Sequence, residues 1–359
     1  MKRLSFIAFA LIISGFINAQ EPFSGSQCIT LREFIYQPED VPFPSCHAST
    51  IEEIKGGFIA AWFGGTEERN PDVGIWTSRF INGKWSKPEE PANGLRDGKR
   101  YPCWNPVLFN PGDELLLFFK VGPSPSEWWG ELMVSADDGI SWTAPRRLPD
   151  GIMGPVKNKP VLLGNGTLLC PSSSEHDGWR VHMEMTPDFG MTWSMTEALN
   201  DKTISAIQPS VLIHPGKKLQ IVCRSKQSKI LSSWSEDEGR TWSPLSPLNL
   251  PNPNSGIDAV TLRDGRHFMV YNHLKSGRHM LNTAISDDGI NWKPVALLEN
   301  ETKGSEFSYP AVIQSDDGMI HITYTWNRKL IRHVVIDPTL MEAGEFTAET
   351  GWPAVTEAR

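Results

Sequence analysis

The chain has little with which to hold a metal, a nucleotide or a membrane. No Cys/His cluster has metal-ligand spacing and no glycine-rich phosphate loop appears, so no cofactor is expected. Beyond the N-terminus no apolar run is long enough to span a bilayer, which argues against membrane insertion. Positive charge is short as well. Its 34 Lys and Arg against 42 Asp and Glu leave a formal net charge of -8, which speaks against nucleic acid and anionic membrane surfaces as partners. The five cysteines, Cys28, Cys46, Cys103, Cys170 and Cys223, are odd in number and cannot all pair within one chain. Buried apolar thiols are the expected state, with a bridge between Cys46 and Cys103 left open because they occupy nearly equivalent positions.

The first residues supply a leader. Met1-Lys2-Arg3, the apolar stretch Leu4 to Ile17 and the small Ala19 read as a signal peptide over residues 1–19, so the expected localisation is secreted or periplasmic. Residues 20–359 read as one domain.

Within them one short pattern recurs, Ser/Thr-x-Asp-x-Gly-x-x-Trp. It occurs as Ser135-Asp137-Gly139-Trp142, Thr186-Asp188-Gly190-Trp193 and Ser235-Asp237-Gly239-Trp242, then as Asp287-Gly289-Trp292 with Ile285 at the Ser position. A period of roughly 50 residues signals stacked supersecondary units. Asp can accept backbone N–H groups just ahead, Gly supplies a positive φ, and Trp plugs the space between units, so the motif reads as structural.

A second repeat counts the units. His47, Asn105, Lys159, Gln208, Asp258 and Tyr309 each stand before a short apolar run that ends in a turn signal such as Asn165-Gly166 or Asp317-Gly318. Six copies predict an all-β, six-bladed β-propeller of four-stranded antiparallel blades. In such a meander the entries to the first strands and the second-to-third loops share one face, opposite the Asp-containing turns. That face gathers Trp104, Asn105, His47, Asn158, Lys159, Gln208, Asp258 and Tyr309 around the axis. The loops add Glu67, Glu68, Arg69 and Asp72, Lys120 and Trp128, Glu175 and His176, Arg224, His273 and Arg278, and Arg328. Asp72 has the alternative of bonding its own loop, and Trp104 and Trp128 that of packing between blades. The segment Leu31 to Tyr36 is expected to supply the outer strand of the last blade and so close the ring.

The Asp-containing turns resemble those of the sialidase superfamily, also called Asp-box or BNR repeats, across essentially the whole mature chain. The resemblance implies that Tyr309, in Ser308-Tyr309-Pro310-Ala311-Val312, attacks an anomeric carbon and that Arg224 and Arg278 belong to a carboxylate-binding trio. The chain departs from the pattern where Ser45-Cys46-His47 replaces the first arginine and where Gln208 replaces the glutamate that activates the tyrosine, since an amide cannot take the phenolic proton. Poor hydrolysis of ordinary sialosides is therefore expected. Three functions follow, in this order. An exo-acting glycoside hydrolase on an acidic glycan would use Arg224 and Arg278 as carboxylate ligands, Glu68 or Asp72 as acid and Tyr309 or a water as nucleophile. A uronate lyase would use His47 or Tyr309 as base, with Asn105 and the arginines on the carboxylate. A carbohydrate-binding propeller would turn nothing over. His47, Asp258, Lys159, Asn158, Gln208, Trp104 and Arg69 complete the candidate site.

Overall fold

The computed structural model describes residues 26–347 and Trp352; the expected signal peptide lies outside the described residues. The chain forms an all-β propeller of six antiparallel sheets. Blade one opens with Ser45–Ile54, blade two with Cys103–Phe109, blade three with Val161–Leu162, blade four with Ala206–Ile213, blade five with Asp258–Thr261 and blade six with Phe307–Gln314. Each gap between neighbouring blades holds its own apolar cluster, for example Ile59, Phe63 and Leu117 between blades one and two, or Phe268, Ile285 and Tyr324 between five and six. Burial of these faces is what binds blade to blade, because a single four-stranded sheet can cover neither of its sides alone.

The ring closes as expected, over Ile29–Phe34, which pairs antiparallel with Leu330–Ile336 of blade six in the register Glu33↔His333. Glu33 Oε1 also accepts from the Trp85 indole at 3.0 Å and lies 3.1 Å from His333 Nδ1, tying the closing strand to blades one and six. Cys46, Cys103, Cys170 and Cys223 are buried and unbridged. Among the described residues no helix is long and apolar enough to cross a membrane.

The Asp-containing turns follow one plan. In the first, Ser135 Oγ donates to Asp137 Oδ1 at 2.8 Å and accepts from Gly139 N at 2.8 Å, while Ser141 N donates to the same carboxylate at 2.8 Å. Gly139 takes φ +79°, the left-handed region that a side chain resists. Trp142, Trp193, Trp242 and Trp292 each pack into the cluster shared with the preceding blade. The fourth turn corrects the sequence reading by one residue. Ser286 Oγ donates to Asp288 Oδ1 at 3.0 Å and accepts from Gly289 N at 2.9 Å, so the working pair is Ser286 and Asp288, not Ile285 and Asp287. Here the Asp directly precedes the Gly, and the turn is one residue shorter.

Candidate functional site

The opposite face begins with broken ladders. In blades one, two, four and six the first strand loses register near its start, and one residue there turns left-handed: Ala48 at φ +57°, Asn105 at +26°, Gln208 at +56° and Tyr309 at +52°. A non-glycine residue in that region costs on the order of 1 kcal/mol or more, and such bulges re-aim side chains. His47 stands one residue before the bulge of blade one, so Ala48, not His47, is the positional equivalent of Asn105, Gln208 and Tyr309.

Tyr309 lies at the centre. Its phenolic oxygen accepts from Arg224 Nη1 at 2.8 Å and from Gln208 Nε2 at 3.3 Å, an environment complementary to negative charge on that oxygen. The His47 ring lies 4.1 Å from the Tyr309 ring, centroid to centroid. Arg224, Arg278 and Lys157 lie 5.6, 5.9 and 6.0 Å from the tyrosine centroid. A side chain on Gly256 would come within 3.3 Å of the Tyr309 ring, so this glycine lets the ring seat against the backbone.

Lys157, which the sequence reading passed over for its neighbours, is buried beneath the tyrosine. Its Nζ donates to Asn158 Oδ1 and Ile257 O, each at 2.8 Å, and to Pro310 O, so it grips the carbonyl next to the bulged Tyr309. Burial first, with Lys159 and Arg224 adding to it, pushes its pKa down to about 7 against the pull of Asp258. Asn158 uses its amide N–H groups on the Gln208 and Pro209 carbonyls, both at 3.0 Å, and so holds the neighbouring bulge.

A chain of polar contacts runs along blades four, five and six. Arg224 Nη2 donates to Asn254 O at 2.7 Å and Oδ1 at 2.9 Å, and Arg278 Nη2 reaches the same Asn254 carbonyl at 3.3 Å. Arg278 Nη1 and Arg328 Nε share Glu306 Oε1 at 2.9 and 3.0 Å, and Arg328 Nη1 pairs with Glu68. Burial raises the Glu306 carboxyl, but Arg328 and Arg278 outweigh it and hold it below the ordinary range. His47 is buried, 3.0 Å from Thr325 Oγ1 through Nδ1. Burial, then the charges of Arg328, Arg278, Arg224 and Lys157, push its pKa well below the usual histidine value, so the imidazole is neutral.

Other candidates are occupied elsewhere. Asp258 is buried, accepts from Ser210 Oγ at 2.7 Å and Val312 N at 2.8 Å, and pairs with Lys159 at 3.0 Å, joining blades three to six beneath the surface. Asp72 accepts from Thr66 N at 3.0 Å and from the Thr66 hydroxyl, bonding its own loop. Trp104 donates to Gly122 O at 2.8 Å and packs edge-on against Trp128. Asn105 is buried beside it, whereas Arg69 is exposed on the blade-one loop, close enough for its charge to be felt by Glu175. Glu175 accepts from the Trp179 indole at 2.8 Å, and burial pushes its carboxyl up despite Arg224, Lys226 and Arg69 nearby. The Trp179 ring in turn carries Arg224 at 5.2 Å. On the same side, between blades two and three, opens a groove of about 720 Å³ lined by Trp129, Arg147, His176 and Arg180 among others. Among the described residues no group of His, Cys, Asp and Glu is placed to hold a metal.

Sequence reasoning missed Lys157, Asn254 and Glu306. Asn254 and Glu306 sit in connecting segments with no repeat to mark them. Arg328, which the sequence did place on this face, stands with Asn327 in a tight turn between two apolar runs, with Arg where glycine is the usual choice.

The pattern of the BNR repeat-like domain matches residues 56–322, most of the chain. The chain belongs to the BNR repeat-like family. Among relatives of this BNR protein, the anhydrosialidase of Macrobdella decora is 24% identical over 230 residues, covering 54% of this chain and 29% of the relative. The sialidase of Bacteroides fragilis is 23% identical over 214 residues, covering 54% of this chain and 38% of the relative. The BNR chain thus spans little more than a third of either curated relative at most. A solved Hadza microbial sialidase superposes with a TM-score of 0.72 at 15% identity over 87% of this chain and 69% of that one, a likeness of fold.

Proposed function

We propose that this BNR propeller is a secreted, exo-acting glycoside hydrolase that binds the carboxylate of an acidic sugar at the axis and cleaves the bond beside it. The observation that carries the reading is the concentration of cations around one tyrosine. Arg224 and Gln208 donate to the Tyr309 oxygen, and Arg278, Lys157 and a neutral His47 surround its ring. Such a ring is matched to an anionic sugar and to a nucleophilic oxygen. The sialidase and anhydrosialidase names of the relatives support the same substrate chemistry.

Tyr309, or a water it orients, attacks the anomeric carbon as the bond to the leaving oxygen breaks. The attacking hydroxyl loses its proton to solvent, and Arg224 and Gln208 hold the tyrosine oxygen as it gains negative charge. Glu175 fits the proton donor better than Glu68 or Asp72, because its carboxyl is raised by burial and free of an ion pair, whereas Glu68 pairs with Arg328 and Asp72 bonds its loop. The groove between blades two and three offers room for the rest of the glycan. One observation suits an elimination instead: the His47 ring lies 4.1 Å from the Tyr309 ring, which puts an imidazole beside the tyrosine.

Incubation with uronate-containing and sialic-acid-containing oligosaccharides tests the choice. Reducing sugar should appear without a rise in near-ultraviolet absorbance, and Tyr309→Phe should cut turnover roughly 10³-fold or more while the circular dichroism is unchanged. A growing absorbance from an unsaturated uronate establishes elimination. Binding without any product makes the protein a lectin.

A further inference from the structure

Arg224 has little left to offer a ligand. Its Nη1 serves Gln208 Oε1 at 3.1 Å and Tyr309 Oη at 2.8 Å, its Nη2 serves two oxygens of Asn254, and its Nε is buried without a partner. A guanidinium carries five N–H groups, so its four outer ones are spent on the protein and the fifth is out of reach. Arg224 is also only 5% exposed, whereas the side chains of Arg278 and Arg328 are 23% and 33% exposed. These two keep outer N–H groups that no protein oxygen uses, and one carboxylate oxygen of Glu306 braces both.

Arg328 is held there at a conformational cost. Asn327 and Arg328 take φ +50° and +58° at the centre of a β-turn closed by Lys329 N to Trp326 O at 3.0 Å, inside the hairpin that pairs Trp326 with Leu330, and the Arg328 carbonyl accepts from Cys46 N of blade one at 2.9 Å. Glycine is favoured at the second position of such a turn. An arginine there, braced by two carboxylates, suits a guanidinium that must be presented at one place.

We infer that Arg278 and Arg328 form the carboxylate clamp of this site, with the blade-six hairpin supplying one of its two guanidinium groups, while Arg224 acts as the positioning residue of Tyr309. Arg328 reaches the neighbourhood of His47 from the adjoining blade, and so puts positive charge beside it. The ligand chemistry is a pyranose carboxylate, which uronic and ulosonic acids share. The inference rests on the acidic-sugar reading above.

Arg328→Gly tests it, because glycine relieves the left-handed backbone, which offsets the loss of ion pairs whose side chains are about a third exposed, and Arg278 still pairs with Glu306. The thermal midpoint should stay close to that of the unmodified protein. Calorimetry compares glucuronic acid with glucose, galacturonic acid with galactose, and N-acetylneuraminic acid with the same sugar reduced to the alcohol. The unmodified protein should prefer at least one acid over its neutral counterpart, and the preferred pair identifies the source. Arg328→Gly should weaken that acid roughly 10- to 100-fold, the range for losing a charged hydrogen bond, and leave the neutral sugar unaffected. Arg328→Lys should fall between, since it keeps charge without the fork. If the unmodified protein prefers an acid and Arg328→Gly binds it equally well, the clamp is overturned and the acidic-sugar reading stands. If no acid is preferred over its neutral counterpart, both fall.

Discussion

The Asp-containing turns and the face opposite them are made by the same blades, yet their side chains are organised in opposite ways. In the turns every Asp accepts from its own short segment: Asp188 from Thr192 N at 2.7 Å, Asp237 from Thr241 N at 2.8 Å, Asp288 from Asn291 N at 2.7 Å. On the other face the contacts that gather charges at the axis join residues far apart in sequence, as in Arg328 with Glu68 or Lys157 with Pro310, while Asp72 and Glu175 at the rim bond locally. Local bonding makes a turn that can be copied from blade to blade. Distant bonding lets each blade contribute a different group, which is what a site for one asymmetric ligand needs.

The comparison breaks first at the closing strand, which serves both ends. Deleting residues up to Glu39 removes Ile29–Phe34 and bares the edge of Leu330–Ile336, so cooperative unfolding should be lost in a thermal melt. A melt like that of the full chain would show that the ring does not depend on this closure.

A middle-sized effect is expected under the tyrosine. Lys157→Met removes the donor from three inward-facing acceptors, at Asn158, Ile257 and Pro310, and should cost about 2–4 kcal/mol in denaturant unfolding. Turnover should fall further than stability explains, because the carbonyl beside the bulged Tyr309 is released. Equal loss in both would make Lys157 a purely structural residue.

The smallest effect belongs to the repeated turns. Asp237→Ala should lower the thermal midpoint slightly and leave sugar binding untouched. Hydrogen bonds hold Asp137, Asp237 and Asp288 at pKa values of about 2, below the ordinary value of 3.8, with burial opposing them most at Asp288. A carboxyl whose folded pKa is depressed stabilises fully above its unfolded value and loses that contribution as pH falls through the folded one. Midpoints should therefore decline from pH 4 toward pH 2, and Asp237→Ala should show a shallower decline. An identical slope would assign the acid sensitivity to other carboxyls.

The blade count, the ring closure and the turn chemistry were legible because each is carried by short-range signals: a period, an apolar run, Asp before Gly. Even there, the fourth turn slipped by one residue. Ile285 and Asp287 keep the spacing of the other copies, but Ser286 and Asp288 make the hydrogen bonds. Tyr309, Gln208, Arg224 and Arg278 were placed on one face by counting strands, and the structure brings them into contact.

The sequence alone determined that six copies of one unit must stack and close, because every unit carries two apolar faces that only neighbours can cover. Tertiary structure decided which charges meet. Lys157 and Lys159 stand two residues apart, but regular pairing in blade three begins only at Val161–Leu162, so one lysine lies under Tyr309 and the other on Asp258. Glu68 and Arg328 are 260 residues apart and pair because the ring brings its last blade against its first. Side-chain direction at a bulge or a left-handed turn depends on contacts from other blades, and no local pattern in the sequence records those contacts.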